Sequence, residues 1–167
     1  MKKPVITEGH TDIEIGYFAG LFDGEGSIGI KKTKQEDIYY YGLRIAIKML
    51  HQETVFSIFK CFGGGFGTYK KENGYHPEDG KYMSSWYCNG ADANEILKLI
   101  TPHLCEKKEQ AELALDYIKT FGCGKAGPHR TEIDKQMQEL YYLMMRQLKV
   151  ENKNTSDKID DIDDDEE

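Results

Sequence analysis

The sequence is poor in the features that mark secreted, membrane and zinc-binding proteins. No apolar run approaches the length of a membrane span, and no apolar segment near the start has the form of a signal peptide. The four cysteines are widely spaced and never form a CxxC pair, so neither a disulfide framework nor a zinc site is indicated. We expect buried, reduced thiols in a soluble intracellular protein of a bacterial or phage cytoplasm or an organelle, neither secreted nor bound to a membrane.

An excess of basic charge is also absent. The 167 residues carry 22 Lys and Arg against 29 Asp and Glu, a formal net charge of -7. Taken whole, this balance argues against a chain that holds nucleic acid by bulk electrostatics. The acidic excess is local, however, because residues 151–167 carry nine acids and two lysines. We therefore expect an electrically neutral folded domain over residues 1–150 and an acidic, disordered tail over residues 151–167.

Hydrophobic periodicity predicts an α+β domain. Thr11 to Glu14 has the form of a capping box that opens the first helix, which ends near Gly24. Short polar turns between neighbouring strands favour antiparallel hairpins over parallel crossovers. The predicted order is helix, two strands, helix, two strands and three helices, over about 12–24, 27–34, 39–49, 52–62, 66–71, 83–88, 94–100, 106–121 and 131–150.

The last predicted helix carries an apolar stripe at helical spacing. A stripe of this kind is typical of a helix that packs one face against a core. Its members are Ile133, Met137, Leu140, Met144 and Leu148.

The segment from Gly16 to Ser27 combines two costly features. Gly16, Ala19 and Gly20 place small residues on one helical face, which is explained if another backbone approaches closely. Asp23 and Glu25 then fall at the helix C-terminus, where the helix dipole is already negative. A divalent cation would reverse that penalty. The alternative is a glycine-rich turn with two solvated acids.

Residues 18–26, with the sequence FAGLFDGEG, closely resemble the motif that names the LAGLIDADG homing endonucleases. The segment PHLCEKKEQA, residues 102–111, is similar to the one that opens a later helix of that family, and the resemblance covers about Ile13 to Phe121. It implies an αββαββα unit, here with additional C-terminal helices, whose saddle-shaped antiparallel sheet lies on double-stranded DNA. Phe18 replaces the usual leading leucine, and Glu25 stands where many members have aspartate.

The presence of one motif copy implies a homodimer that reads a long, partly palindromic target. In that arrangement Gly16, Ala19, Gly20 and Asp23 lie at the dimer interface. The resemblance implies that Glu25 and the Gly24 carbonyl are ligands of Mg²⁺, a cation that prefers oxygen ligands.

Two further catalytic residues follow from the resemblance. Lys107 matches a basic residue beside the scissile phosphate, and His51 falls where family members place a polar residue that orders the attacking water. Lys107 also reads as a solvated lysine at a helix start, and His51 as a helix N-cap.

The predicted strands form a basic region within the neutral body. From Ser27 to Lys71 there are eight basic residues and three acids. Alternation places Lys31 and Thr33 on the face equivalent to that of Arg44 and Lys48, where basic side chains can address guanine edges in a major groove. The expected DNA-binding residues are Lys31, Thr33, Lys34, Arg44, Lys48, Thr68 and Lys70.

The sequence therefore predicts a homodimeric, Mg²⁺-dependent, site-specific DNA endonuclease that cuts both strands and serves the homing of a mobile intron or a free-standing gene. An RNA-splicing maturase on the same scaffold, with RNA as its partner, is one alternative. A DNA-binding protein that does not cleave is another.

Overall fold

The computed structural model describes residues 1–70, 82–123 and 130–160, apart from the side chains of Lys70 and of residues 152–160. Lys71, the predicted loop that follows it, and residues 161–167 lie outside this part. The described helices and strands are β1 (Lys2–Lys3), α1 (Asp12–Glu25), β2 (Gly26–Gln35), β3 (Ile38–Met49), α2 (Gln52–Phe62), β4 (Gly64–Lys70), β5 (Tyr82–Asn89), α3 (Gly90–Ile100), a 3-10 turn (Thr101–His103), α4 (Lys108–Phe121) and α5 (Glu132–Asp160).

One antiparallel sheet organises the domain. Its strands lie in the order β1-β4-β5-β3-β2, and every neighbouring pair is antiparallel. The predicted α+β class and hairpin topology are confirmed, whereas the short edge strand β1 was not predicted. The buried inner face of the sheet packs against the helices through Ile28, Ile30, Leu43, Ile45, Ile47 and Trp86.

Helix α1 packs its apolar face into this core. Phe18 and Phe22 are fully buried, and the Phe18 ring stacks on Phe62 with centroids 4.4 Å apart. The predicted capping box is confirmed, since Thr11 and Glu14 exchange both of its hydrogen bonds. The helix ends where the chain must turn tightly into β2, because a Cβ on Gly26 would lie 2.3 Å from the Phe22 carbonyl oxygen. The capping box and Gly26 therefore determine the two ends of the helix that bears Glu25.

Helix α5 packs with a different face from the one predicted. Ile133, Met137, Leu140 and Met144 are exposed, whereas Gln138 and Met145 are buried. Gln138 donates to the Tyr117 hydroxyl, which in turn donates to the Tyr41 carbonyl. These polar contacts orient the helix, and the prediction of a core-facing apolar stripe was wrong. The helix also continues past Val150 to Asp160, into the segment predicted to be a disordered tail.

A carboxylate on α5 ties that helix to the edge strand of the sheet. Glu139 accepts hydrogen bonds from the Lys32 ammonium and from the Tyr41 hydroxyl. The bond from Lys32, followed by that from Tyr41, lowers the pKa of Glu139. A carboxylate with a lowered pKa stabilises the fold above its unfolded pKa, and this stabilisation disappears as the pH falls through the folded value.

Replacing Glu139 with glutamine should therefore lower the free energy of unfolding at neutral pH by about 0.5 kcal/mol, because the pair is partly exposed. Urea unfolding of both proteins at neutral pH and at about pH 3 measures this difference. The difference in the free energy of unfolding between the wild type and Glu139→Gln should become smaller as the pH falls below the ordinary glutamate pKa of about 4.5. A gap that stays constant with pH would contradict the assignment.

The cysteines agree only in part with the sequence prediction. All four are free, but only Cys88 is buried, while Cys61, Cys105 and Cys123 are exposed. Desolvation raises the pKa of the Cys88 thiol to about 12.

Among the described residues, no helix combines the length and apolar character needed to cross a membrane.

Candidate functional site

The sheet face opposite the core is the candidate site, and we call it the outer face. Strand pairing brings its residues into register, as in Gly29 opposite Arg44, Lys48 opposite Ser85, and Tyr87 opposite both Ala46 and Gly65. Side chains alternate across a strand, so positions of this parity point away from the buried inner face. The outer face comprises Ser27, Gly29, Lys31, Thr33, Tyr40, Gly42, Arg44, Ala46, Lys48, Gly65, Gly67, Tyr69, Met83, Ser85, Tyr87 and Asn89.

Glu25 stands at one end of the outer face. Helix α1 ends at Glu25 and β2 begins at the next residue, so the exposed carboxylate opens onto the sheet. It lines a cleft together with three cationic side chains, those of Lys31, Arg44 and Lys48. A single acid therefore faces a basic surface, which is the arrangement expected where a polyanion and a cation are bound together.

The outer face holds four of the seven predicted DNA-binding residues. Lys31, Thr33, Arg44 and Lys48 lie on it, whereas Lys34, Thr68 and Lys70 occupy strand positions of the opposite parity. Lys34 instead lies 3.8 Å from the Asp37 carboxylate. Thr68 has the parity of Phe66, which is buried in the core, although Thr68 itself is exposed. The predicted DNA contacts of these three residues, which the outer face does not include, stay predictions. Tyr87 and Ser85 lie on the outer face and were missed.

Asp23 holds the segment that carries Lys107 against the end of α1. Its carboxylate accepts backbone N–H groups of Cys105 and Lys107 at 2.7 and 2.9 Å. The Lys107 ammonium donates in return to the Asp23 backbone carbonyl, and only 12% of that side chain is exposed. Lys107 is thereby held against Asp23, which precedes Glu25 by two residues in the chain. The Asp23 side chain makes these contacts within its own chain.

Replacing Asp23 with alanine should lower the free energy of unfolding by about 1–3 kcal/mol, because two backbone N–H groups lose their acceptor. Asp23→Asn retains one carbonyl oxygen, so its free energy of unfolding should lie between those of the wild type and Asp23→Ala. Urea unfolding measures both differences. If the alanine protein were as stable as the wild type, the carboxylate would not hold this segment in solution.

Lys149, which no motif indicated, also reaches the site. Its ammonium nitrogen lies 3.4 Å from the position that a Cβ on Gly29 would occupy, and Gly29 lines the Glu25 cleft. Desolvation lowers the pKa of Lys149, and the nearby charge of Lys107 lowers it further. An anion bound nearby would favour the charged form of Lys149. Folding brings α5 close to the Glu25 cleft, so the spacing of residues in the sequence could not have revealed the position of Lys149.

His51 is the N-cap of α2. Its Nδ1 atom lies 2.7 Å from the Thr54 hydroxyl oxygen and accepts the Thr54 backbone N–H. The N-cap alternative for His51 therefore describes its structural role. The imidazole is exposed, and its Nε2 edge is not used by the cap.

The oxygen atoms at the end of α1 fit a hard divalent cation. The Gly24 carbonyl belongs to the last turn of the helix, where carbonyl groups lack an intrahelical partner. Together with the Glu25 carboxylate it forms an all-oxygen donor pair, which suits Mg²⁺ with its remaining positions filled by water or phosphate. Within the described residues, no three His, Cys, Asp or Glu side chains cluster into a complete metal site. One chain therefore offers a partial site that a bound phosphate could complete.

The free face of α1 consists of small and apolar residues. At Gly16, Gly20 and Gly24 a Cβ would meet nothing within 4 Å, and Ile13 and Tyr17 beside them are 83% and 62% exposed. Ala19 is completely buried in the core of its own chain, so it is not on this face. The predicted small-residue surface thus consists of glycines flanked by two exposed apolar side chains.

No protein-family model matches this sequence, and no curated protein matches it. Solved structures do match. The homing endonuclease I-CvuI, in complex with the I-CreI target and 2 mM Mg, with the DNA not cleaved, superposes with a TM-score of 0.61 at 21% identity, covering 81% of this chain and 82% of that one. I-CvuI with its own target and Ca gives 0.52 at 20% identity, covering 81% and 94%. The archaeal intron-encoded homing endonuclease I-Vdi141I, complexed with DNA, gives 0.51 at 12% identity, covering 83% and 98%.

At these identities the likeness concerns the fold. The chain has the α+β fold of homing endonucleases, as the motif in residues 18–26 predicted, and the predicted resemblance is confirmed at this level.

Proposed function

Given a fold shared with homing endonucleases, we propose that this protein is a site-specific DNA endonuclease that depends on Mg²⁺ and cuts both strands as a homodimer. The observation that carries the proposal is the position of Glu25, an exposed carboxylate at the end of a face whose other charged residues are cations. A surface that only bound nucleic acid would gain nothing from a carboxylate aimed at phosphate, because like charges repel.

The outer face would hold the DNA. Lys31, Arg44 and Lys48 extend across neighbouring strands β2 and β3, which form a two-stranded ribbon of the kind that enters a major groove. Their charge would also neutralise phosphates, which supplies affinity at low salt. This local charge accounts for DNA binding by a chain whose net charge is -7.

The residues at the end of α1 would carry the cleavage chemistry. Glu25 and the Gly24 carbonyl would hold Mg²⁺, which lowers the pKa of an attacking water and neutralises charge on the phosphate. Lys107 and Lys149 would contact the non-bridging phosphate oxygens and stabilise the charge that develops there. His51 would order the attacking water through Nε2, since Nδ1 is engaged with Thr54.

A homodimer would supply one Glu25 to each DNA strand. The exposed glycines of α1 allow two such helices to approach closely, and a two-fold arrangement of this kind reads a partly palindromic target. Long double-stranded DNA is therefore the proposed substrate, and a second copy of the chain is the proposed partner.

Sequencing the ends produced from a randomised DNA library in Mg²⁺, with a chelator as the control, tests this function. We expect metal-dependent ends at one recurring, partly palindromic site. A parallel incubation with structured RNA separates the alternatives. Tight RNA binding without DNA ends would favour a maturase, and tight DNA binding without ends would favour a non-cleaving binding protein. Either outcome would contradict the endonuclease.

A further inference from the structure

We propose that Arg44 reads a guanine in each half of the DNA target, and that Tyr87 is the positioning residue that holds it. This inference rests on the proposed function and adds a base and a specificity-determining pair to it. The Arg44 guanidinium carbon lies 4.8 Å from the centroid of the Tyr87 ring. Planar guanidinium groups stack on aromatic faces at this separation.

The Tyr87 ring is itself supported from beneath. Tyr87 pairs with Gly65 on the neighbouring strand β4, and a Cβ on Gly65 would lie 2.4 Å from the ring atom Cζ. Only glycine leaves room for a ring that lies this close to the strand. Gly65, Tyr87 and Arg44 therefore form a stack that crosses the three adjacent strands β4, β5 and β3.

In the part of the chain that the structure describes, the Arg44 guanidinium over this ring donates no side-chain hydrogen bond, so its N–H groups are left for a ligand. Among the residues that the structure describes, no carboxylate forms an ion pair with Arg44. Arg44 also lines two clefts of the outer face, one beside Glu25 and one bordered by Tyr40 and Asn89. Its donors are thus held at the middle of the proposed DNA-binding surface.

A fixed, forked pair of donors matches guanine better than other bases. In the major groove guanine presents two acceptors, O6 and N7, side by side, and arginine pairs with both. Because the ring already restricts the guanidinium, less conformational entropy is lost when the pair forms. A phosphate would accept the same donors but would carry no base preference.

Selection from a randomised DNA library under binding conditions, with Ca²⁺ replacing Mg²⁺, measures the preference at every target position. We expect wild-type protein to enrich guanine at one position in each half-site. Arg44→Ala and Tyr87→Leu should both reduce that enrichment by about tenfold, at that position only. Tyr87→Phe retains the ring face and should preserve the enrichment. Tyr82→Leu removes an exposed tyrosine of the same strand that does not lie on the outer face, and should leave the position unchanged.

The outcomes separate this inference from the proposed function. Equal weakening at all positions in Arg44→Ala would show a phosphate contact and overturn the guanine assignment. Unchanged preference in Tyr87→Leu, with Arg44→Ala still effective, would overturn the positioning role of the ring. A thermal unfolding curve shows whether Tyr87→Leu is folded. If Tyr87→Leu is unfolded, Tyr87→Phe and Arg44→Ala test the inference instead. Loss of the guanine preference in Tyr87→Phe would also overturn the role of the ring face. A wild-type protein that binds no DNA would contradict the proposed function itself.

Discussion

Replacing Glu25 with glutamine should slow DNA cleavage about a thousandfold while leaving DNA binding nearly intact. Glutamine keeps the size of the side chain but removes the charge that would hold the cation. Metal stabilisation of a phosphoryl transition state amounts to several kcal/mol, and about 4 kcal/mol corresponds to three orders of magnitude in rate. Glu25 is exposed and supports no part of the core, so the fold should tolerate the change.

Single-turnover cleavage of the selected target, together with a binding titration in Ca²⁺, measures the two effects separately. Glu112→Gln is the matched control, because it makes the same chemical change at an exposed position on α4. Cleavage by Glu25→Gln at the wild-type rate would show that this carboxylate does not hold the metal. Loss of binding as well as cleavage would assign Glu25 to DNA recognition instead.

Local signals in the sequence predicted most of the scaffold. The capping box at Thr11 and the glycine at position 26 act within one turn of chain, so their consequences are visible in the sequence itself. Strand alternation likewise placed Arg44 and Lys48 on the face opposite Ile45, as the structure confirms. Because side chains alternate with a period of two residues, the register of one hairpin is enough to assign each of its residues to a face of the sheet.

Residues whose positions depend on distant contacts escaped prediction. Gln138 is buried because Tyr117 accepts its hydrogen bond, and that contact turns the apolar stripe of α5 outward. Hydrophobic periodicity shows only where the apolar residues lie along the helix. It does not show that a hydrogen bond decides which face of the helix is buried. Lys149 reaches the Glu25 cleft for the same reason, since its helix is placed by contacts with β2 and α4. Thr68 has the strand parity of buried Phe66 and so does not lie on the outer face, and its predicted DNA contact stays a prediction.

Replacing Gly20 with leucine should convert the proposed homodimer to a monomer without destabilising the single chain. Within one chain, a Cβ at Gly20 meets nothing within 4 Å, and leucine has the better helix propensity by nearly 1 kcal/mol. Between two copies of α1, however, a leucine from each chain would fill the space where the backbones approach. Overpacking of this kind costs about 1–3 kcal/mol at each site, so the dimer should weaken by about a hundredfold or more.

Analytical ultracentrifugation gives the oligomeric state, and urea unfolding at low protein concentration gives the stability of the single chain. Gly20→Ala supplies a graded control, because it raises helix propensity with far less added volume. Glu112→Leu places the same leucine on an exposed face of α4 and should remain dimeric. Since each chain carries one Glu25, the Gly20→Leu monomer should also lose coordinated cutting of both strands. A Gly20→Leu protein that remained dimeric would show that the chains associate through a surface other than α1.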